Sequence, residues 1–153
     1  MTIKYKITRT INLEKLSEDI RNDFQEESRE FMKDLIVGTI ESGHSPVEGK
    51  GKYKAYSKSY AERKKGGRRS PVNMTDTGKM LRSLKVRKTK KGLSFFFTSP
   101  IAKFHDLLGA GNSKIIRRLL PRGNERFSRK IMDALIGLAE SSVKRMTRSY
   151  NKR

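Results

Sequence analysis

His105 and Asp106 stand side by side in "KFHDLL". Such a pair is one piece of the ligand set of metal phosphohydrolases, but a working first shell needs several more His and Asp side chains. The chain has 2 histidines, and the other, His44, lies far upstream. His105 therefore reads as a helical residue beside Phe104 that donates a hydrogen bond to a backbone carbonyl from a half-buried position. Serines are numerous, yet no G-x-S-x-G elbow occurs. "GKGK" (Gly49 to Lys52) and "GAGN" (Gly109 to Asn112) lack the spacing of phosphate-binding loops, and "KKGGRR" lacks a Walker ending. With no cysteine, disulfides, thiolate metal sites and cysteine nucleophiles are excluded together. Carboxylate pairs fall mainly on the first helix, where a solvated face explains them. An enzyme is not expected, nor any cofactor or metal.

What remains is charge. The 153 residues carry 36 Lys/Arg against 16 Asp/Glu, a net of +20. Residues 1–40 have 7 basic and 8 acidic groups (−1), residues 41–100 have 16 and 4 (+12), and residues 101–153 have 13 and 4 (+9). A neutral first third thus precedes a cationic remainder, which points to an anionic partner, either nucleic acid or an acidic protein surface. Three clusters concentrate the charge: "ERKKGGRR" with Lys64, Lys65, Arg68 and Arg69, "KVRKTKK" from Lys85 to Lys91, and "IIRRLLPRG" with Arg117, Arg118 and Arg122. Tyr53, Tyr56 and Tyr60 are interleaved with Lys50, Lys52, Lys54, Lys58 and Arg63. Rings among cations can stack on bases or anchor a protein interface. No helix-turn-helix, zinc-finger or RRM signature is present, so any nucleic-acid contact is expected to be non-specific.

The elements that must position these groups follow from periodicity. "IKYKITRTI" alternates Ile3, Tyr5 and Ile7 with basic residues, the pattern of an edge strand. Asn12 sits where an N-cap belongs, and Leu13, Leu16, Ile20, Phe24, Phe31, Leu35 and Ile36 take helical spacing to about Ile40. Residues 41–71 lose periodicity and gather Gly, Ser, Pro and Lys, so they read as a long basic loop that a partner orders, with "SKSYAERKK" able to form a short helix from Ser57. "NMTDTGKMLRSLKV" combines a cap at Asp76 or Thr77, a brief helix directing Met80, Leu81 and Leu84 inward, and a strand start. "LKVRKT" and "LSFFFTS" around "KKG" predict a hairpin, with Gly92 free to take positive φ. Phe95, Phe96 and Phe97 cannot all face one way.

Ser99 as N-cap, Pro100 at the first position and Gly109 at the end frame a two-to-three-turn helix whose apolar side is Ile101, Phe104, Leu107 and Leu108. A connector or strand follows, stopped by Pro121. A last helix runs from Glu125 to about Arg148 through Phe127, Ile131, Leu135, Leu138 and Met146, with residues 149–153 fraying. At this length a single domain, residues 1–153, is expected. Apolar residues make up 34%, so its core is thin or completed by partners. No apolar run is long enough for a membrane span and the amino terminus lacks a signal peptide's apolar segment, so no membrane partner is expected.

Taken in order, "SYAERKK", "VNMTDTGKMLRSLKV", "KGLSFFFTSPIAKFHDLLGAG" and "RRLLPRGNERF" resemble the tail-completion and neck proteins of tailed bacteriophages, a family also described as head-tail joining, virion morphogenesis or minor tail proteins. In their "L-T-x-T-G-x-L-x-x-S-L" segment Met74 replaces leucine, and Thr75, Thr77, Gly78, Met80, Ser83 and Leu84 follow. Phe104, His105 and Gly109 stand near the positions of "Y-A-x-x-H-x-x-G". Pro121 begins the third element, although Arg122 follows it directly and Phe127 lies farther along. The resemblance implies an α+β fold, a small twisted antiparallel sheet with the long helix across one face, short helices and a carboxy-terminal helix. It implies a structural role in the virion at the head-tail junction, after assembly in the bacterial cytoplasm. The implied partners are a connector or adaptor, a tail terminator or tail tube, and further copies in a ring of six-fold or twelve-fold symmetry. The implied contacts can extend, non-specifically, to genomic DNA.

Overall fold

In the computed structural model, which describes residues 12–90, 92–110 and 114–152, the Asn12 side chain accepts a hydrogen bond from the Lys15 amide at 3.0 Å. Helix α1 (Leu13–Glu41) begins there, as its polar cap dictates. Its apolar stripe buries Met32, Ile36 and Ile40 completely. The expected strand over residues 3–11 lies outside the described residues.

The architecture is α+β. After α1 come α2 (Lys58–Lys64), α3 (Lys79–Arg82), the hairpin β1 (Leu84–Thr89) and β2 (Gly92–Phe97), α4 (Pro100–Lys103) running into a π-helical turn (Phe104–Leu108), and α5 (Arg129–Lys152). The sheet is a two-stranded antiparallel ribbon with Leu84 opposite Phe97, Val86 opposite Phe95 and Lys85 opposite Phe96. Period-2 alternation resolves the three phenylalanines: Phe95 and Phe97 pack on the core, while Phe96 lies on the other face under the Arg87 guanidinium, 5.6 Å from its ring centre. Gln25, buried on α1, clamps the hairpin's turn by donating to the carbonyls of Thr89 (3.1 Å) and Gly92 (3.3 Å).

α5 packs along α1. Tyr150 donates to Asp19 at 2.6 Å, and Arg145 pairs with Asp23 (2.6 Å) and Glu27 (2.7 Å), so the helices run antiparallel. The hydrogen bond from Arg145 holds the Asp23 carboxyl below its ordinary pKa. Two boundaries differ from expectation. The residues from Ser149 on continue the helix to Lys152 instead of fraying, in keeping with the Tyr150–Asp19 bond. The helix starts at Arg129 and not at Glu125, because Phe127 bridges to Val47 and the Ser128 amide donates to the Pro46 carbonyl at 2.7 Å, committing residues 126–128 to an extended path.

Residues 41–71 also depart from the expected open loop, since their own chain already holds them. Pro46, Val47, Tyr56 and Ala61 are buried. The Ser45 amide donates to Gly51 at 2.8 Å, Tyr53 to Gly43 at 2.8 Å, and Tyr56 to Arg69 at 3.0 Å. The short helix from Ser57 forms as α2, with the serine hydroxyl capping the Tyr60 amide at 3.3 Å.

The central connector contains a further correction. Neither Asp76 nor Thr77 is the N-cap of α3; Gly78 is, at φ +71°. The Thr77 hydroxyl reaches the Lys79 amide only at 3.4 Å. A left-handed cap selects glycine, since a side chain there is strained and its Cβ would lie 2.6 Å from the Arg82 guanidinium. Gly78→Ala is therefore expected to cost about 1–2 kcal/mol and Thr77→Val distinctly less, measured by urea unfolding of the two variants; equal losses would restore Thr77 as the cap.

Candidate functional site

The surface that stands out is built on the α4–π turn segment. Its sequence is amphipathic, as expected, and its apolar side faces outward, against the usual rule for apolar groups. Ala102 and Asp106 face inward, whereas Ile101 (52% exposed), Phe104 (54%), Leu107 (38%) and Leu108 (52%) point out. Ile116, on the strand-like segment alongside, is 55% exposed.

Asp106 explains the inversion. Its carboxylate accepts from the Leu119 amide at 2.7 Å and pairs with Arg122 at 2.6 Å, with Arg118 at 3.7 Å. Arg118 also donates to the Asp106 carbonyl at 3.0 Å and pairs with Glu125, which in turn accepts from the Arg122 amide at 3.0 Å. The Arg118 hydrogen bond lowers the Glu125 pKa. A buried charge needs such partners. Meanwhile the Arg117 amide donates to the His105 carbonyl at 2.7 Å, so the segment 115–119 is laced to the turn from outside the helix. The turn ends at Gly109, φ +81°, where a Cβ would stand 2.2 Å from the Lys114 carbonyl oxygen; only glycine fits against that backbone.

His105 is half-buried in this frame. Its Nδ1 is buried without a hydrogen-bond partner among the described residues, not donating to a carbonyl as expected. Burial first, and the Arg117 charge second, depress the imidazole pKa below its ordinary value. Among the described residues no group of three or more His, Asp or Glu side chains could hold a metal ion.

The remaining sequence candidates separate into two groups. Thr75, Met80, Ser83, Leu84 and Pro121 are structural. Thr75 closes a turn on Asn73, its amide 3.2 Å from the Asn73 side chain. The Ser83 hydroxyl donates to Met80 at 2.6 Å and accepts from the Ser99 amide at 3.1 Å, joining the end of α3 to the exit of β2. Met80 and Leu84 are core, and Pro121 is half-buried.

The contact candidates fare unequally. Tyr56 is buried: its hydroxyl accepts from the Met74 amide at 3.1 Å, and Lys65 and Arg117 lie over its ring at 5.8 and 5.6 Å. Tyr53 donates to the Arg118 carbonyl at 3.0 Å, and burial drives its phenol pKa far up. Neither ring is free to stack on a base, which corrects that expectation. Tyr60 leans on Tyr56, ring centres 4.9 Å apart. Arg117 is 5% exposed and donates to the Lys54 carbonyl at 3.0 Å, so it too is interior. Lys65 bonds inward to Asn73 at 3.3 Å. Lys64, Arg68, Arg69 and Arg122 remain on the surface.

The apolar side of α4 is legible in the sequence as a stripe, but its outward direction is not. The one usable signal is charge: between Thr77 and Asn124 there are 12 Lys/Arg and a single acid, Asp106. The lone acid among so many cations is the group that must be neutralised inside. No protein-family model, curated protein or solved structure matches this chain. Among the described residues no helix is long and apolar enough to cross a membrane.

Removing the buried carboxylate by Asp106→Ala strands Arg118 and Arg122 and is expected to cost about 3 kcal/mol in urea unfolding, in line with broken buried pairs generally. A loss no larger than that of a surface substitution would contradict the network. His105 makes a pH signature. The fold favours the neutral ring, so the unfolded chain binds more protons below about pH 6.5, and stability is full above that value and falls as pH drops below it. His105→Gln should flatten the stability profile between about pH 5 and 6.5, where carboxylates contribute little; an unchanged slope would refute the assignment.

Proposed function

We propose that this chain is a structural virion protein of a tailed bacteriophage, acting at the head-tail junction as a neck or tail-completion protein that joins the DNA-filled head to the tail. It works by docking and catalyses no reaction. Its neighbours are the connector or adaptor on one side and the tail terminator or tail tube on the other, and it sits between them as a ring of identical copies. It assembles in the host cytoplasm and resides in the virion neck.

The observation that carries this reading is the exposed ridge of Ile101, Phe104, Leu107 and Leu108, held outward by a buried ion network on a strongly basic face. A chain that commits a buried carboxylate to turning four apolar side chains toward solvent has a use for them, and contiguous exposed apolar groups of this kind mark protein contacts. The ordered motif series supports the same reading, since Ser83 ties the end of α3 to the start of α4 and Gly109 lets the turn beneath the ridge close on Lys114.

A second reading has one specific observation in its favour. The outer face of the hairpin presents Lys85 and Arg87 beside Phe96, cations with an aromatic ring, as non-specific nucleic-acid binding would use.

The deciding experiment is electron microscopy of lysates from a phage deleted for this gene. Filled heads and finished tails are expected to accumulate apart and to join when the purified protein is added. Normal joined particles would refute the proposal. Binding to duplex DNA whose log K falls by ~0.9 per neutralised phosphate with log salt would then favour the second reading.

A further inference from the structure

Strand β1 has two faces of different chemistry. Leu84, Val86 and Lys88 alternate onto the side toward α1, and there the cation is matched, because Lys88 pairs with Glu26. Lys85 and Arg87 alternate onto the outer side, where both are exposed and, among the described residues, neither has an ion-pair partner. Their cross-strand neighbours are Phe96 and Ser94, so β2 offers no acid on that face. The chain around it offers none either: Asp106 is the single acid between Thr77 and Asn124, and it is buried.

Phe96 is the second feature of this face. Phe95 and Phe97 pack on the core, whereas Phe96 stays half-buried on the outer side with the Arg87 guanidinium 5.6 Å from its ring centre. An aromatic ring beside cations is a surface on which a base can stack while its phosphate is neutralised. An acidic protein surface would meet the two charges but carries no regular partner for the ring.

The setting of the hairpin selects single strands. Gln25 holds the turn carbonyls of Thr89 and Gly92, and Glu26 holds Lys88, so the ribbon lies along α1 and does not project from the body. Backed by a helix about 10 Å across, it is too thick for the ~12 Å major groove of a duplex, whose bases are in any case stacked on one another. Lys85 and Arg87 are about 6.6 Å apart along the strand, a step comparable to that between neighbouring phosphates of an extended single strand.

We infer that the outer face of the hairpin binds single-stranded nucleic acid, with the phosphate backbone along Lys85 and Arg87 and a base stacked on Phe96. Phosphate contacts and stacking make the binding tolerant of sequence. The inference rests on the second reading above and adds to it the strandedness and the residues. It is compatible with the first reading, because the hairpin face and the ridge on α4 use different side chains.

The test is fluorescence anisotropy of the full chain with a labelled oligothymidylate of about 16 nucleotides, with a duplex of the same length, and with polyglutamate as competitor. Phe96→Leu removes the ring, and the double variant Lys85→Gln, Arg87→Gln removes the charges; all three side chains lie outside the core, and urea unfolding checks that each variant keeps the fold. The single strand is expected to bind at least tenfold more tightly than the duplex. Phe96→Leu should weaken single-strand binding about tenfold without changing its salt dependence. The double variant should reduce the slope of log K against log salt by about 1.4, at ~0.7 per lost phosphate contact. Duplex bound as tightly as single strand, with neither variant changing either affinity, overturns the inference and leaves the second reading standing on other cations. No binding to either form overturns both. Polyglutamate that displaces the oligonucleotide as well as unlabelled oligonucleotide does at equal charge assigns the face to an acidic protein and overturns the inference as well.

Discussion

The buried carboxylate of Asp106 is the constraint on which the rest of this surface depends. It sits 5% exposed and holds the Leu119 amide, Arg122 and Arg118 at once, with Glu125 completing the charge balance. Because an ionised group without partners is far too costly in the interior, the chain must bring residues 117–125 back across the π turn. That return path places Leu119 in the core and Arg117 over Tyr56, and it consumes the His105 carbonyl that a continuing helix would have used. The widened turn and the outward ridge are two results of one satisfied anion.

The strength of the periodic signals decides what can be read before the fold is seen. Long runs with a cap, such as Asn12 followed by the stripe to Ile40, are legible to within a residue or two, because apolar spacing sustained over many helical turns is produced by little besides a helix. The hairpin is equally clear, since "KKG" separates two short strand-like runs, but which of the three phenylalanines faces out is decided only by the pairing of Val86 with Phe95 and Lys85 with Phe96. The segment 41–71 reads as open because its order comes from single hydrogen bonds to distant residues, such as Tyr53 and Ser45 to the Arg118 carbonyl, which no local pattern announces. The cap of α3 shifts by one or two residues, from Asp76 or Thr77 to Gly78, because side-chain capping and a left-handed glycine compete to start the helix, and "TDTG" offers both.

The ridge is where local pattern misleads most. Helical spacing identifies which residues share a face but not which way the face points; that sign is normally supplied by the rule that apolar groups go inside. At α4 the rule fails because Asp106 lies on the opposite face, and its carboxylate, once buried, needs the partners it finds there. Tyr56 and Arg117 show the converse error. Aromatic rings among cations are easily assigned to a binding surface, yet here they form part of the interior, the ring supplying the face that a buried guanidinium needs in the absence of a carboxylate.

A net charge of +20 has a consequence for assembly that the local contacts do not reveal. Free copies repel one another over the range of the ionic atmosphere, which keeps a chain with an uncovered apolar ridge from sticking to itself when dilute. At contact distance the balance differs, because the repulsion between remote basic groups is largely screened. In the virion role proposed above, a ridge kept from self-contact in dilute solution suits copies gathered on a template, where tethering raises the effective concentration far above that of the bulk. Under this reading the basic excess and the apolar ridge are a single device, the first holding the second in reserve until a platform brings the copies together.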